Sequence, residues 1–203
     1  MGKDKRKLIF TSKGMNQRRG RLIIGRQLAN SDVSNKRIIL FTLREYFIYE
    51  VLIKACIEMG FREENVTIYD GEEHVEYGGI YDYVYVSEGN TFDIILMLRS
   101  TGMDKFIKSM VLDHKADYIG ASAGAMLAGT SFQFAEIMDK NRVGINDCTG
   151  LELFDRRVVI VPHYTKRELE RFKRNIEKEQ PEILDRYEEV LHVSNYGVLV
   201  VEV

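Results

Sequence analysis

Six short apolar runs rich in Ile, Val and Tyr recur along the chain: KLIFTS (7–12), RIILFT (37–42), VTIYD (66–70), DYVYVS (82–87), DYIGA (117–121) and RVVIVP (157–162). Each is too short for an ordinary globular helix and nearly continuous in apolar residues, the pattern of a strand buried on both faces. Between them lie stretches with helical spacing. Phe47, Val51, Ala55 and Met59 recur every four residues, flanked on the same stripe by Ile48, Leu52 and Cys56, and Met103, Phe106, Ile107, Met110 and Val111 form a second stripe. Strands alternating with helices predict right-handed βαβ units, and hence a doubly wound α/β fold whose mostly parallel sheet is covered on both faces. The tail breaks this rhythm. VLHVSNYGVLVVEV (190–203) reads as two strands around Asn195, Tyr196 and Gly197, predicting a C-terminal hairpin at the sheet edge. TKRELERFKRNIEKEQ (165–180) mixes both signs of charge with few apolar positions, as an exposed surface helix does.

The 203 residues, 45% of them hydrophobic, are enough for a sizeable core, and no repeat or low-complexity tract divides them, so 1–203 are read as one domain. Lys and Arg number 29 against 31 Asp and Glu, which leaves no basic field to attract nucleic acid or an anionic membrane. Cys56 and Cys148 lie far apart with no CxxC pair or adjacent histidine, so neither a disulfide framework nor a metal site is expected. The opening MGKDKRKLIF carries an apolar run too short for a signal-peptide core or a membrane span, and a cytoplasmic location is the expectation. No P-loop is present and no G-x-G-x-x-G follows the first strand, so no nucleotide cofactor is expected.

The segment DYIGASAGAMLAGTS (117–131) changes the picture. Gly120-Ala121-Ser122-Ala123-Gly124 satisfies G-x-S-x-G directly after a strand and at the start of a small-residue helix, where a nucleophilic serine is lifted above a sheet. A serine nucleophile needs a base. Of His74, His114, His163 and His192, His163 directly follows the buried run VVIVP, and the carboxyl ends of strands are where parallel sheets build their sites. His74 falls in a polar loop, His114 ends an amphipathic helix and His192 lies inside a terminal strand.

YIGASAGAMLAG, with VYVSEGNTFDIILML upstream and VPHYT downstream, resembles the peptidase E (aspartyl dipeptidase) and cyanophycinase group of serine peptidases, family S51. Three landmarks agree in order: a Gly-Asn-Thr-Phe turn, a Ser-Ala-Gly-Ala elbow and a Pro-His-Tyr segment. The resemblance implies a class I glutamine amidotransferase-like fold and a dipeptidase-like activity on small peptides, with no metal or cofactor. It implies Ser122 as nucleophile, His163 as general base, the N–H groups of Gly89 and Ala123 as the oxyanion hole, and Asn90 near the bound substrate. The family's third triad member is an aspartate shortly after the elbow or a glutamate near the carboxyl end. Asp139 is the favoured match to the first, with Glu136 nearby, and Asn195 is the alternative match to the second. Arg167, followed by Arg171, is the candidate cation for an acidic N-terminal residue of the substrate.

The chain departs from the pattern at the turn, where Ser87-Glu88-Gly89-Asn90 replaces the family's Gly-Gly-Gly-Asn. Glu88 there sets a carboxylate beside the expected oxyanion site, where negative charge is unwelcome unless it points away. The alternatives to a peptidase are a non-catalytic peptide or amino-acid binding module that has lost the triad acid, and an amidase or transferase using the same Ser-His pair.

Overall fold

The computed structural model describes residues 6–29, 31–44, 49–72, 79–113, 115–165, 167, 170, 174 and 189–203. All six apolar runs are strands: β1 (Lys7–Thr11), β2 (Ile38–Phe41), β3 (Val66–Tyr69), β4 (Tyr83–Val86), β5 (Asp117–Ala121) and β6 (Val158–Tyr164). Two more follow near the end, β7 (Glu189–Ser194) and β8 (Val198–Glu202). The helices are α1 (Arg18–Leu28), α2 (Tyr49–Glu58), α3 (Thr91–Thr101), α4 (Met103–Leu112) and α5 (Ala123–Leu127).

The main sheet runs β3-β2-β4-β5-β1-β8, with every pair parallel except β1 with β8. Strand residues alternate between two cores. Leu8, Phe10, Ile39, Phe41, Val84, Val86 and Tyr118 face a cluster that includes Leu98 of α3, Ile107 of α4 and Met126 of α5. Ile9, Ile38, Leu40, Tyr83, Tyr85 and Ile119 face the other, with Ile24 of α1 and Leu52 of α2. Burial on both faces is why β1, β2, β4 and β5 are so nearly apolar, while β3, at the sheet edge, is mostly half-buried. The fold is α/β with a mostly parallel central sheet.

Two expectations are modified. β8 does close the sheet edge against β1, but β7 does not pair with it. Instead β7 runs parallel to β6 in a separate two-stranded sheet, so the turn at 194–197 joins two sheets where a hairpin was expected. That turn is closed by the Gly197 N–H donating to the Ser194 carbonyl at 3.1 Å, which satisfies the turn chemistry without a ladder between the flanking strands. The stripe of α2 is Leu52, Ala55 and Cys56, all buried, whereas Val51 is exposed, and Phe47 and Ile48 lie outside the described residues. Most of the charged segment 165–180 also lies outside them.

The α2 assignment is checked by urea denaturation. Leu52→Ala, at a site 1% exposed, is expected to cost about 2–5 kcal/mol. Val51→Lys is expected to stay within about 0.5 kcal/mol of wild type, because its position faces solvent.

Candidate active site

The elbow follows from sterics. A Cβ at residue 124 would sit 2.1 Å from the Val86 carbonyl oxygen, and one at residue 120 would sit 2.7 Å from the Gly124 oxygen, so both positions need glycine for α5 to rest on the sheet. Two hydrogen bonds fix α5 there: the Gly124 N–H donates to the Ser87 carbonyl at 3.2 Å, and the buried Tyr118 hydroxyl donates to the Gly124 carbonyl at 2.7 Å. Between the glycines Ser122 takes φ 49° and ψ −104°, outside the regions that L residues ordinarily occupy. Its N–H donates to the Thr11 carbonyl at 2.8 Å, tying the elbow to the end of β1.

His163 stands on β6, where the β6–β7 register shifts between Val161 and Tyr164, and it too has a positive φ, 57°. Its ring bridges two elements. Nε2 lies 2.8 Å from the Ser122 Oγ and Nδ1 lies 3.0 Å from the Asn195 Oδ1. An amide oxygen facing Nδ1 accepts a hydrogen bond from it, so it selects the Nδ1–H tautomer and leaves the Nε2 lone pair to accept from the Ser122 hydroxyl. The turn that carries Asn195 is braced by the Arg19 guanidinium, 4.5 Å from the centre of the Tyr196 ring.

Asp139, the favoured third member, is elsewhere. Its Oδ2 accepts the Thr91 N–H at 2.9 Å and the Thr91 hydroxyl at 2.6 Å, so it satisfies a free donor at the start of α3. Glu136 is exposed on the 3₁₀ helix Gln133–Ile137. Asn90 is also taken up by structure. It N-caps α3, with Oδ1 accepting from Phe92 and Asp93 at 3.0 and 3.3 Å, while Nδ2 donates to the Lys140 carbonyl at 3.0 Å. Ala123 opens α5 and so has no intrahelical acceptor for its N–H. No acceptor among the described residues takes the N–H of Gly89, which turns at φ 147°. Arg167 is exposed, and Arg171, His74 and His114 lie outside the described residues, while His192 is an exposed residue of β7.

The Glu88 carboxyl turns toward Tyr85 and Gly14. Its Oε2 accepts the hydroxyl of the buried Tyr85 at 3.1 Å and occupies the space a side chain at Gly14 would fill. Its Oε1 is buried and has no hydrogen-bond partner among the described residues. Burial raises the carboxyl's pKa, offset in part by hydrogen bonds from its own amide, Tyr85, Gly14 and Gln17. The free thiols are poor rival nucleophiles, since burial pushes Cys56 up to about 12, and burial with nearby Glu136 and Asp147 raises Cys148. Among the described residues no cluster of three His, Cys, Asp or Glu is placed to hold a metal ion, and no helix is long and apolar enough to cross a membrane.

The model of peptidase family S51 matches residues 72–201, a stretch containing the turn, the elbow, His163 and Asn195. The chain belongs to peptidase family S51. It is 36% identical over 85 residues to an uncharacterized peptidase of Listeria monocytogenes, an alignment covering 41% of this chain and 40% of that one. An uncharacterized peptidase of Pasteurella multocida is 37% identical over 86 residues, again 41% of this chain and 40% of the relative. The matched stretch thus spans about 40% of the length of these curated relatives. Among solved structures, a candidate peptidase E protein from Listeria monocytogenes superposes with a TM-score of 0.69 at 21% identity, over 98% of this chain and 95% of that one. A peptidase from an acI-B1 Actinobacterium gives 0.58 at 14% identity, over 99% and 85%. At these identities the likeness shows the fold.

Two measurements test this S51 site. Asp139→Ala is expected to lower stability by about 1–2 kcal/mol in chemical denaturation, as loss of a helix-end acceptor does, and to leave the reactivity of Ser122 near wild type. Glu88→Gln tests the buried acid through pH. A carboxyl with a raised folded-state pKa binds more protons folded than unfolded, so its ionisation withdraws stability as the pH rises through and above the ordinary carboxylate range. The melting temperature of wild type is therefore expected to fall relative to Glu88→Gln as pH rises, and a constant difference would count against a carboxyl whose pKa is raised by burial.

Proposed function

We propose that this protein is a serine peptidase that hydrolyses small peptides through an acyl-enzyme on Ser122. The observation that carries the proposal is the 2.8 Å contact between the Ser122 Oγ and the His163 Nε2, with Asn195 on the far ring nitrogen. In this reading Ser122 attacks the peptide carbonyl while His163 takes its proton at Nε2. The N–H groups of Ala123 and Gly89 receive the charge that develops on the carbonyl oxygen. Protonated His163 then gives its proton to the leaving amine, and a water molecule, deprotonated by the same nitrogen, releases the acid product. Arg167, four residues beyond His163 and exposed, is the cation assigned to an acidic N-terminal side chain of the substrate.

An amide in place of the triad acid sets the expected rate. In chymotrypsin-type proteases the acid-to-amide change costs about 10⁴ in kcat, chiefly because the wrong histidine tautomer is held. Here the Asn195 oxygen faces Nδ1, so the productive tautomer is kept and the missing contribution is the negative charge that would stabilise the imidazolium. The same residue favours the second reading, a binding module that retained the cleft and gave up turnover.

The two readings separate in one experiment. A panel of dipeptides with acidic and neutral N-terminal residues is offered to wild type and Ser122→Ala, alongside labelling with a serine-directed fluorophosphonate. Slow turnover and labelling at Ser122 are expected in wild type only. A folded wild type that neither labels nor turns over, yet gains thermal stability from a dipeptide, would establish the binding module instead.

A further inference from the structure

One hydroxyl outside the catalytic trio touches the strands of both His163 and Asn195. Ser12 follows β1 at its carboxyl end and is 2% exposed. Its Oγ accepts the His163 N–H at 2.8 Å and donates to the Val193 carbonyl at 3.0 Å. Val193 lies on β7 two residues before Asn195. The residue before Ser12 in turn holds the nucleophile, because the Thr11 carbonyl accepts the Ser122 N–H.

This bridge lies where the regular ladder fails. The β6–β7 register slips between Val161 and Tyr164, so His163 stands in the irregular stretch, and its φ of 57° is a conformation that neighbouring groups must enforce. A buried N–H and a buried C=O both need partners, and a single serine hydroxyl satisfies both because it accepts and donates at once. Alanine at this position would leave two orphaned backbone groups, one on each strand, and both strands would relax to find other partners.

We propose that Ser12 is a positioning residue for the catalytic base: its hydroxyl sets the His163 main chain against β7 so that the ring reaches Ser122 and Asn195 together. The proposal rests on the Ser122–His163–Asn195 reading above. Ser12 touches no reacting atom, and its effect passes through the placement of His163, where a displacement of about 1 Å is enough to cost roughly 10²-fold in rate.

The test uses the full chain with Ser12→Ala, Ser12→Cys and Ser12→Thr, each checked for cooperative thermal unfolding. The first readout is kcat and KM on whichever peptide wild type turns over, with the rate of fluorophosphonate labelling. The second needs no turnover: the downfield proton resonance of the His163 Nδ1–H, assigned by its loss in His163→Gln. Ser12→Ala is expected to lower kcat and labelling about 10–100-fold with KM nearly unchanged, and to weaken or abolish the resonance. Ser12→Thr, which keeps a hydroxyl, should restore both, and Ser12→Cys, a poor hydrogen-bonding isostere, should fall between. If Ser12→Ala does not fold, the order of Ser, Thr and Cys carries the test. A folded Ser12→Ala or Ser12→Cys with wild-type kcat, labelling and resonance overturns the proposal. A wild type that neither labels nor turns over sinks the peptidase reading alone, and the resonance then decides whether Ser12 places the ring.

Discussion

A side chain at residue 124 would collide with the Val86 carbonyl at 2.1 Å, so α5 can lie on the sheet only because that position has none. Much else follows from this approach. With α5 pressed onto β4 and β5, the chain must reverse within one residue, and Ser122 absorbs the turn in a strained conformation that lifts its hydroxyl clear of the strand. α5 also packs against β6, so the helix that begins at Ser122 rests on the strand that carries His163.

The second sheet explains how His163, Asn195 and Ser122 meet from three distant segments. Among the described residues β6 and β7 pair with each other alone, yet their apolar residues Val158–Val161 and Val193 belong to the same core as α3, α4 and α5. Packing holds this layer to the main sheet by a non-directional force, which sets distance better than register. Register comes from polar contacts at the end of β1, where Thr11 and Ser12 address β5, β6 and β7 in turn. The turn at 194–197 then hands the chain to β8, whose pairing with β1 pins Asn195 from the other side. The site sits at the carboxyl ends of the parallel strands, as open α/β sheets favour.

Much of this was legible in the sequence, and the misses share a cause. The six apolar runs and the serine elbow announce themselves because burial on both faces and close backbone approach restrict residue type locally. His163 was legible for the same reason, as the polar residue that ends an apolar run. What could not be read was pairing through space. Asn195, Tyr196 and Gly197 form the same turn whether the flanking strands pair with each other or with different sheets, so a hairpin was the natural expectation. Asp139 matches the family's aspartate shortly after the elbow, but Thr91 claims its carboxylate. One signal was available and missed: Asn90 ahead of Thr91, Phe92 and Asp93 is an ordinary helix N-cap, which accounts for Asn90 without a substrate.

Glu88 shows how such a scaffold accommodates a residue that its own chemistry disfavours. In the reading proposed above, a carboxylate beside the Gly89 turn would repel the charge formed on the carbonyl oxygen, and keeping it clear requires room elsewhere. That room lies on another segment. The carboxylate occupies the space beside Gly14, where an added Cβ would lie 1.2 Å from Oε2, and it meets the hydroxyl of Tyr85, which in turn accepts the Met15 N–H at 3.1 Å. The acid at 88 and the glycine at 14 are therefore two halves of one arrangement, since any side chain at 14 would drive the carboxylate out of its place beside Tyr85. A departure from the family pattern at the turn is thus matched by space in the loop after β1, the same loop whose Ser12 hydroxyl accepts the His163 N–H. The room for the Glu88 carboxyl and the hydrogen bond to the His163 main chain therefore both depend on one short stretch of chain.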